Sequence, residues 1–245
     1  MEIYDEMARR YDLIYGDLAD LEYYMNEARN ARGKVLEVGC GTGRILLHLL
    51  EEGIDAQGLD SSPEMLAVLK EKAEKKGLEP RVSCADMLDF SLDDRFQLII
   101  LPYRTFLHLK NKSDMEKALL NLKKHLEPGG RLILHVYKPL EEDLSMQGEY
   151  HHFETEHLET PEGERYTIDW HLQYEPVGRM AHYRVVLRLA GGEKHTYEMD
   201  IHLVKMKELG EMLKECGYKN IKAYWGFDYI PFKGEPGEVV WIAEN

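Results

Sequence analysis

Between residues 34 and 138, short apolar runs alternate with stretches of helical periodicity, and that alternation admits few folds. A strand, a helix and another strand in succession build a parallel sheet, because a crossover must return the chain to the end where it started. The runs are KVLEV (34–38), IDAQGLD (54–60), RVSCA (81–85), FQLIIL (96–101) and RLILHVY (131–137). Their apolar residues are nearly continuous, as fits strands covered on both faces. The helices between them carry their own punctuation. Ser61, Ser62 and Pro63 supply an N-cap and a first-turn proline, Leu66, Leu69 and Ala73 face the sheet, and Gly77 stops the helix. Ser113 with Glu116 reads as a capping box for a helix bearing Met115, Leu119, Leu122 and Leu126, and Glu-Pro-Gly-Gly (127–130) reads as a turn into the fifth strand.

After Lys138 the period changes to two. Tyr166, Ile168, Trp170, Leu172 and Tyr174 share one face, as do Tyr183, Val185, Leu187 and Leu189, and then Tyr197, Met199, Ile201 and Leu203. These are half-buried antiparallel strands, to which HHFETEHLE (151–159) adds a fourth. A helix over Met206, Leu209, Leu213 and Cys216 follows, with Gly217 as its stop, and KNIKAYW and EVVWIA close the chain as two more strands. The expectation is one α/β domain over 1–245. An N-terminal segment (1–30) precedes a core (31–138 and 204–245) of seven mostly parallel strands with helices on both faces. An antiparallel β insertion after strand five (139–203) forms a cap.

VLEVGCGTGR (35–44) joins the first strand to a helix through three glycines, a geometry that offers backbone amides to a polar or anionic group. The dinucleotide fingerprint needs glycines at relative positions 1, 3 and 6; here Gly39, Gly41 and Gly43 occupy 1, 3 and 5, and Arg44 stands at 6. A phosphate-binding lysine at the required spacing is missing too. Glu37, beneath the loop, repels a pyrophosphate and attracts an ammonium group. Asp60 ends the second strand 17 residues past Gly43, where an acid accepts hydrogen bonds from ribose hydroxyls. At the end of the third strand, Asp86 suits an exocyclic amino group and Met87 the flank of a base. Ribose, base and amino acid together describe S-adenosylmethionine.

VLEVGCGTG, GLDSSPEML and CADMLDF, in this order and spacing, resemble the first three motifs of the class I S-adenosylmethionine-dependent methyltransferases, whose core sheet is Rossmann-like. FQLIILPYRTFLHL and HLEPGGRLIL resemble their fourth and fifth strands. The resemblance covers about residues 1–138 and 204–244. It implies Glu37, Gly39 and Gly41 at the methionine end, Asp60 at the ribose, and Asp86 with Met87 at the adenine. It adds Ser61, Met65 and Leu101 to the cofactor-binding set. YDEMARRYDLIYGD is similar to the N-terminal segment that folds over the cofactor in small-molecule members, which puts Tyr4 and Tyr11 against the site. The insertion is similar to the cap of small-molecule methyltransferases, including the amino-sugar N,N-dimethyltransferases. Arg104 and Thr105 depart from the Asn or Ser frequent there.

Methyl transfer from a sulfonium is an in-line displacement, so such an enzyme mainly aligns nucleophile and methyl at ~3 to 3.5 Å. Tyr103 and His108, at the end of the fourth strand, are the candidates for a catalytic role. Tyr103 reads better as a wall of the methyl pocket than as a base, since a phenol ordinarily titrates near ~10. His108 reads equally as a packing residue of FLHL. Asp86 alone reads also as a helix cap, and Arg44 as an exposed first-turn residue.

The remaining composition narrows the partners. A formal charge of −14 opposes sequence-independent binding to a polyphosphate, and the fourth strand ends in Leu101-Pro102-Tyr103, without an Asn/Asp-Pro-Pro-Tyr or Pro-Cys stretch. An RNA or tRNA methyltransferase is therefore the first alternative, and a non-catalytic cofactor-binding protein the second. Cys40, Cys84 and Cys216 are too scattered for a disulfide framework or a zinc site. Seven of the eleven histidines fall in the insertion, but His171, His182 and His202 share a face with Asp169, Arg184 and Asp200, and charge pairing explains them without metal. The charged opening and the lack of a long apolar run point to a cytoplasmic chain away from membranes. The aromatic stripe of the cap is a candidate surface for homo-oligomer formation. The expectation is an enzyme moving a methyl group to an N or O atom of a small molecule and releasing S-adenosylhomocysteine.

Overall fold

The computed structural model describes residues 2–16 and 18–245; residues 1 and 17 of the N-terminal segment lie outside the described residues. The parallel strands are β1 (Val35–Val38), β2 (Ala56–Asp60), β3 (Arg81–Cys84), β4 (Phe96–Leu101) and β5 (Leu126–Lys138). Helices α4 (Leu46–Glu51), α5 (Pro63–Lys75) and α6 (Lys112–His125) lie between them. Ahead of them come α1 (Glu2–Met7), α2 (Tyr11–Tyr15) and α3 (Leu21–Asn30). After β5 run α7 (Glu141–Ser145) and the insertion strands β6 (His151–Glu159), β7 (Arg165–Glu175), β8 (Met180–Leu189) and β9 (Lys194–His202). The chain ends with α8 (Met206–Glu215), β10 (Lys219–Trp225), β11 (Ile230–Pro231) and β12 (Gly237–Glu244).

The core sheet runs β11-β10-β12-β5-β4-β1-β2-β3, parallel from β5 to β3 and antiparallel where β12 meets β5. It holds eight strands where the sequence predicts seven. The extra one is β11, two residues paired to the edge of β10, too short to leave a periodic pattern. Strand β4 explains the layering: Ile99 and Leu101 point into a cluster with Met115, Leu119 and Leu122 of α6 and Leu209 and Leu213 of α8. Leu98 and Ile100 point the other way, against α3, α4 and α5. A core leucine such as Leu36 is fully buried, worth ~1.5 to 3 kcal/mol of transfer free energy.

Local signals mostly resolve as read. Ser62 caps α5, its hydroxyl accepting the Met65 N–H at 3.1 Å, with Pro63 at the first helical position. The cap of α6 is Asn111, not Ser113: its side chain accepts the Asp114 N–H at 2.9 Å. Residues 127–130 form an irregularity inside β5, where pairing jumps from Phe96–Leu126 to Leu98–Arg131 with Gly129 left-handed at φ 75°. The insertion is a four-stranded antiparallel sheet, β6-β7-β8-β9. Its inner face packs Ile168, Val185, Leu187 and Tyr197 on Met7, Ile14 and Tyr15, so the N-terminal segment is held between cap and core. Its other face carries Arg184–Glu198 at 2.7 Å, Arg188–Asp169 at 3.0 Å and His182–Asp200 at 2.6 Å. His202 departs from that pattern, with Nδ1 buried and unpartnered.

Candidate functional site

The C-terminal ends of β1, β2 and β4 converge where the glycine loop turns. Gly39, Gly41 and Gly43 all have positive φ, at 75°, 51° and 86°. At Gly39 the requirement is also steric, because a Cβ there would meet Thr105 Oγ1 at 2.8 Å. The Gly39 and Cys40 amides donate to the Leu59 carbonyl at 2.7 and 3.1 Å. The Gly41 amide donates to Asp60 Oδ2 at 2.7 Å, and Asp60 Oδ1 accepts the Ser62 N–H at 2.9 Å. Asp60 thus ties the glycine loop to the start of α5. Burial raises its carboxyl above the ordinary range, while those amides pull it back.

Glu37 is the most perturbed carboxyl of the site. It is 3% exposed, and its Oε2 has no hydrogen-bond partner in the protein. Burial pushes it up to about 8; Arg44 and the Leu46 amide pull it down, and Asp20 and Asp60 push it further up. Arg44 is not the exposed first-turn residue the sequence suggested. Both of its terminal nitrogens bind the buried Asp20, the Nη2–Oδ2 contact at 2.8 Å, and the guanidinium lies 5.2 Å from the Tyr103 ring centroid.

The loop after β4 is strained. Tyr103 and Arg104 are consecutive non-glycine residues in the left-handed region, at φ 49° and 65°. What holds them is a chain of polar contacts. The Tyr103 N–H donates to His135 Nδ1 at 3.1 Å, which leaves His135 Nε2 as the donor to Glu238 Oε2 at 2.7 Å. Glu238 also pairs with Arg104, whose guanidinium stacks 4.2 Å from the Tyr137 ring centroid. Partial desolvation raises the Tyr103 phenol, which disqualifies it as a base near neutral pH.

The N-terminal segment closes the site like a strap. Tyr4 OH meets His108 Nε2 at 2.8 Å, Ser62 Oγ donates to Asp5 at 2.5 Å, and Thr42 Oγ1 donates to Asp12 at 2.6 Å. Arg9–Glu71 at 3.0 Å and Lys72–Asp12 at 2.8 Å fasten it along α5. Beneath it remains a cavity of about 30 Å³ bounded by Tyr11, Glu37, Gly39, Gly41, Arg44 and Tyr103, room for little more than a water molecule. That cavity as it stands is too small for a nucleoside. A larger, open depression of about 510 Å³ lies on the cap near Arg165 and Arg188, but both arginines already face acids, Glu159 at 3.9 Å and Asp169 at 3.0 Å.

Of the residues expected at the site, Tyr11, Glu37, Gly39, Gly41 and Tyr103 line the cavity, and Asp60 and Tyr4 join them through the loop and the strap. Met65 and Leu101 are buried in the walls behind. Ser61 follows Asp60 ahead of α5. Asp86 is exposed, and its side chain accepts the Leu88 N–H at 2.9 Å, while Met87 packs against the core next to it. His108 does not line the cavity. Burial lowers its imidazole to about 4, the Asp200 carbonyl pulling the other way, and its ring joins α1 to the cap. Sequence reasoning missed Asp20, Tyr15, His135 and Glu238. Tyr15 alone had left a signal, standing one helical turn from Tyr11; its ring lies 4.9 Å from that of Tyr11 and 5.3 Å from that of Tyr103.

Residues 35–130 match the methyltransferase domain family. The chain is 35% identical to a demethylmenaquinone methyltransferase of Thermus thermophilus over 147 residues, 56% of this chain and 65% of that one. It is 28% identical to a dTDP-3-amino-3,6-dideoxy-alpha-D-glucopyranose N,N-dimethyltransferase of Streptomyces fradiae over 137 residues, 53% of this chain and 52% of that one. The match therefore spans only half to two thirds of these relatives. Among solved structures, an S-adenosylmethionine-dependent methyltransferase from Clostridium acetobutylicum superposes with a TM-score of 0.79 over 98% of both chains at 18% identity, a likeness of fold.

Proposed function

We propose that this chain, whose residues 35–130 match the methyltransferase domain family, moves a methyl group from S-adenosylmethionine to a nitrogen of a small molecule, with oxygen as the second choice. The observation that carries this reading is the unpartnered Glu37 oxygen under the glycine loop. A buried carboxyl oxygen without a hydrogen-bond partner is costly, and an amino-acid ammonium group satisfies it. We read the whole chain as one unit: strap over 1–30, core over 31–138 and 204–245, cap over 139–203.

When bound, the cofactor supplies an electrophilic methyl on a sulfonium. The protein's part is to bind and align. Glu37 takes the ammonium group, Asp60 with Ser61 the ribose hydroxyls, and Asp86 with Met87 the adenine edge. Met65 and Leu101 back the pocket, and Tyr4 and Tyr11 exclude water from above. Tyr103 walls the path of the methyl group. An amine must be neutral to attack, yet neither candidate base suits that task. His108 is spent on Tyr4 with its imidazole held at about 4, and the Tyr103 phenol is raised. The acceptor amine therefore arrives neutral or loses its proton to water, and catalysis rests on alignment. The amino-sugar N,N-dimethyltransferase among the relatives supports nitrogen as the acceptor atom.

The net charge of −14 speaks against a nucleic-acid acceptor. Cytoplasmic residence and a homo-oligomer through the cap belong to the same reading, the latter checked by sedimentation. The decisive experiment incubates the protein with S-adenosylmethionine and a panel of amines and alcohols and follows S-adenosylhomocysteine release. Turnover on an amine is the expected result. Binding without turnover on any acceptor points to the non-catalytic alternative, and no binding at millimolar concentration ends the proposal.

A further inference from the structure

What charge Glu37 carries depends on every group that faces it. Asp20, in the turn ahead of α3, and Asp60, at the end of β2, bring two carboxylates, and Arg44 brings one guanidinium already bound through both terminal nitrogens to Asp20. Tyr24 on α3 and Cys40 in the glycine loop face it as neutral groups, burial keeping both protonated. Tyr11 of the strap and Tyr103 after β4 close the cavity, also protonated through burial. The Leu46 amide leans toward it, while Oε2 is left without a partner. The neighbourhood is already one negative charge in excess, and the carboxyl is 3% exposed. Such a group escapes the desolvation cost by keeping its proton.

Resting on the cofactor reading above, we propose that the site exchanges a proton for its ligand: Glu37 is neutral in the free protein at neutral pH and releases its proton to solvent when the ammonium group of the amino-acid end docks against Oε2. The O–H bond of the carboxyl breaks, its electron pair stays on the carboxylate, and the ligand keeps its own N–H bonds. The direction agrees with the carboxyl's position, pushed by burial up to about 8 in the free protein. An ammonium group within hydrogen-bond reach draws a carboxyl down by ~1 to 3 pH units. Affinity for the cofactor then rises with pH, by at most ~10-fold per unit. It levels above pH 8, once the free carboxyl has itself ionised.

The test is calorimetric titration of the full chain with S-adenosylmethionine at pH 7, in phosphate and in Tris, whose ionisation enthalpies differ. The expected result is release of roughly half to one proton per cofactor bound. In parallel, the infrared difference spectrum loses the C=O band of a protonated carboxyl. Adenosine, which engages Asp60 but has no amino-acid end, releases none, and Glu37→Gln abolishes both signals. Binding without proton release, or release that survives in Glu37→Gln, overturns the proposal while leaving the cofactor reading intact. If Glu37→Gln fails to fold or to bind, the wild-type infrared band decides, and its persistence on binding overturns the proposal. Failure of S-adenosylmethionine to bind at all overturns the cofactor reading and this inference with it.

Discussion

Glu37 and Glu238 stand three strands apart in one sheet, on β1 and β12, the first fully buried and the second half-buried, and their carboxyls are displaced in opposite directions. Burial works to raise both. At Glu238 the hydrogen bond from His135 and the charge of Arg104 outweigh it and hold the group at about 2. At Glu37 the cation in reach is committed to Asp20, burial prevails, and the group rises to about 8. Burial raises an acid, and the partners within reach decide whether that rise survives. The end of the site next to the cap pairs its own charges, whereas the glycine-loop end leaves Glu37 Oε2 without a partner.

The largest test of this contrast is Glu37→Gln in the free protein. A carboxyl at about 8 when folded and 4.5 when unfolded contributes stability that is full below pH 4.5 and is lost as pH rises to 8. At pH 7 that loss is on the order of 3 kcal/mol. Urea unfolding should find Glu37→Gln more stable than wild type at pH 8 and flatter between pH 5 and 8; a parallel profile breaks the contrast. Glu238→Gln should have the opposite sign. Its folded value of about 2 lies below 4.5, so its contribution is present above pH 4.5 and fades as pH falls toward 2. With the carboxyl a third exposed, screening leaves roughly 2 kcal/mol of destabilisation at pH 7.

Smaller effects sharpen the reading of the ligand side. Asp60→Ala should weaken S-adenosylmethionine binding by roughly 1 to 3 kcal/mol, the scale of hydrogen bonds to a charged group, and unchanged calorimetric affinity removes Asp60 from the ribose site. His108→Ala should loosen the strap by roughly 1 kcal/mol, the worth of one hydrogen bond. Amide exchange over residues 2–16 should then quicken and cofactor affinity fall, with turnover at saturation kept. Lost turnover at unchanged affinity returns His108 to the chemistry.

What could be read in advance follows from the range over which each signal acts. Strands β1 to β5 and the four cap strands rest on patterns several residues long, and Glu37 stood out because an acid inside an apolar strand has no structural reason to be there. Asp20–Arg44 and His135–Glu238 join residues 24 and 103 positions apart, and no periodicity announces such a pair. The left-handed Tyr103 and Arg104 were hidden for a related reason. Their backbone strain is sustained by His135 and Glu238 from other strands, not by glycine. The jog at residues 127–130 was read as a turn because Pro-Gly-Gly signals a turn and a strand irregularity alike.

The strap has a kinetic side. Its ties along α5, Arg9 to Glu71 and Lys72 to Asp12, are exposed ion pairs, which added salt weakens over a screening length of ~8 Å in physiological buffer. The Tyr4–His108 latch is uncharged and does not respond. Salinity should therefore govern how briefly an enclosed nucleoside dwells, shortening its residence while leaving the pocket's chemistry as it was.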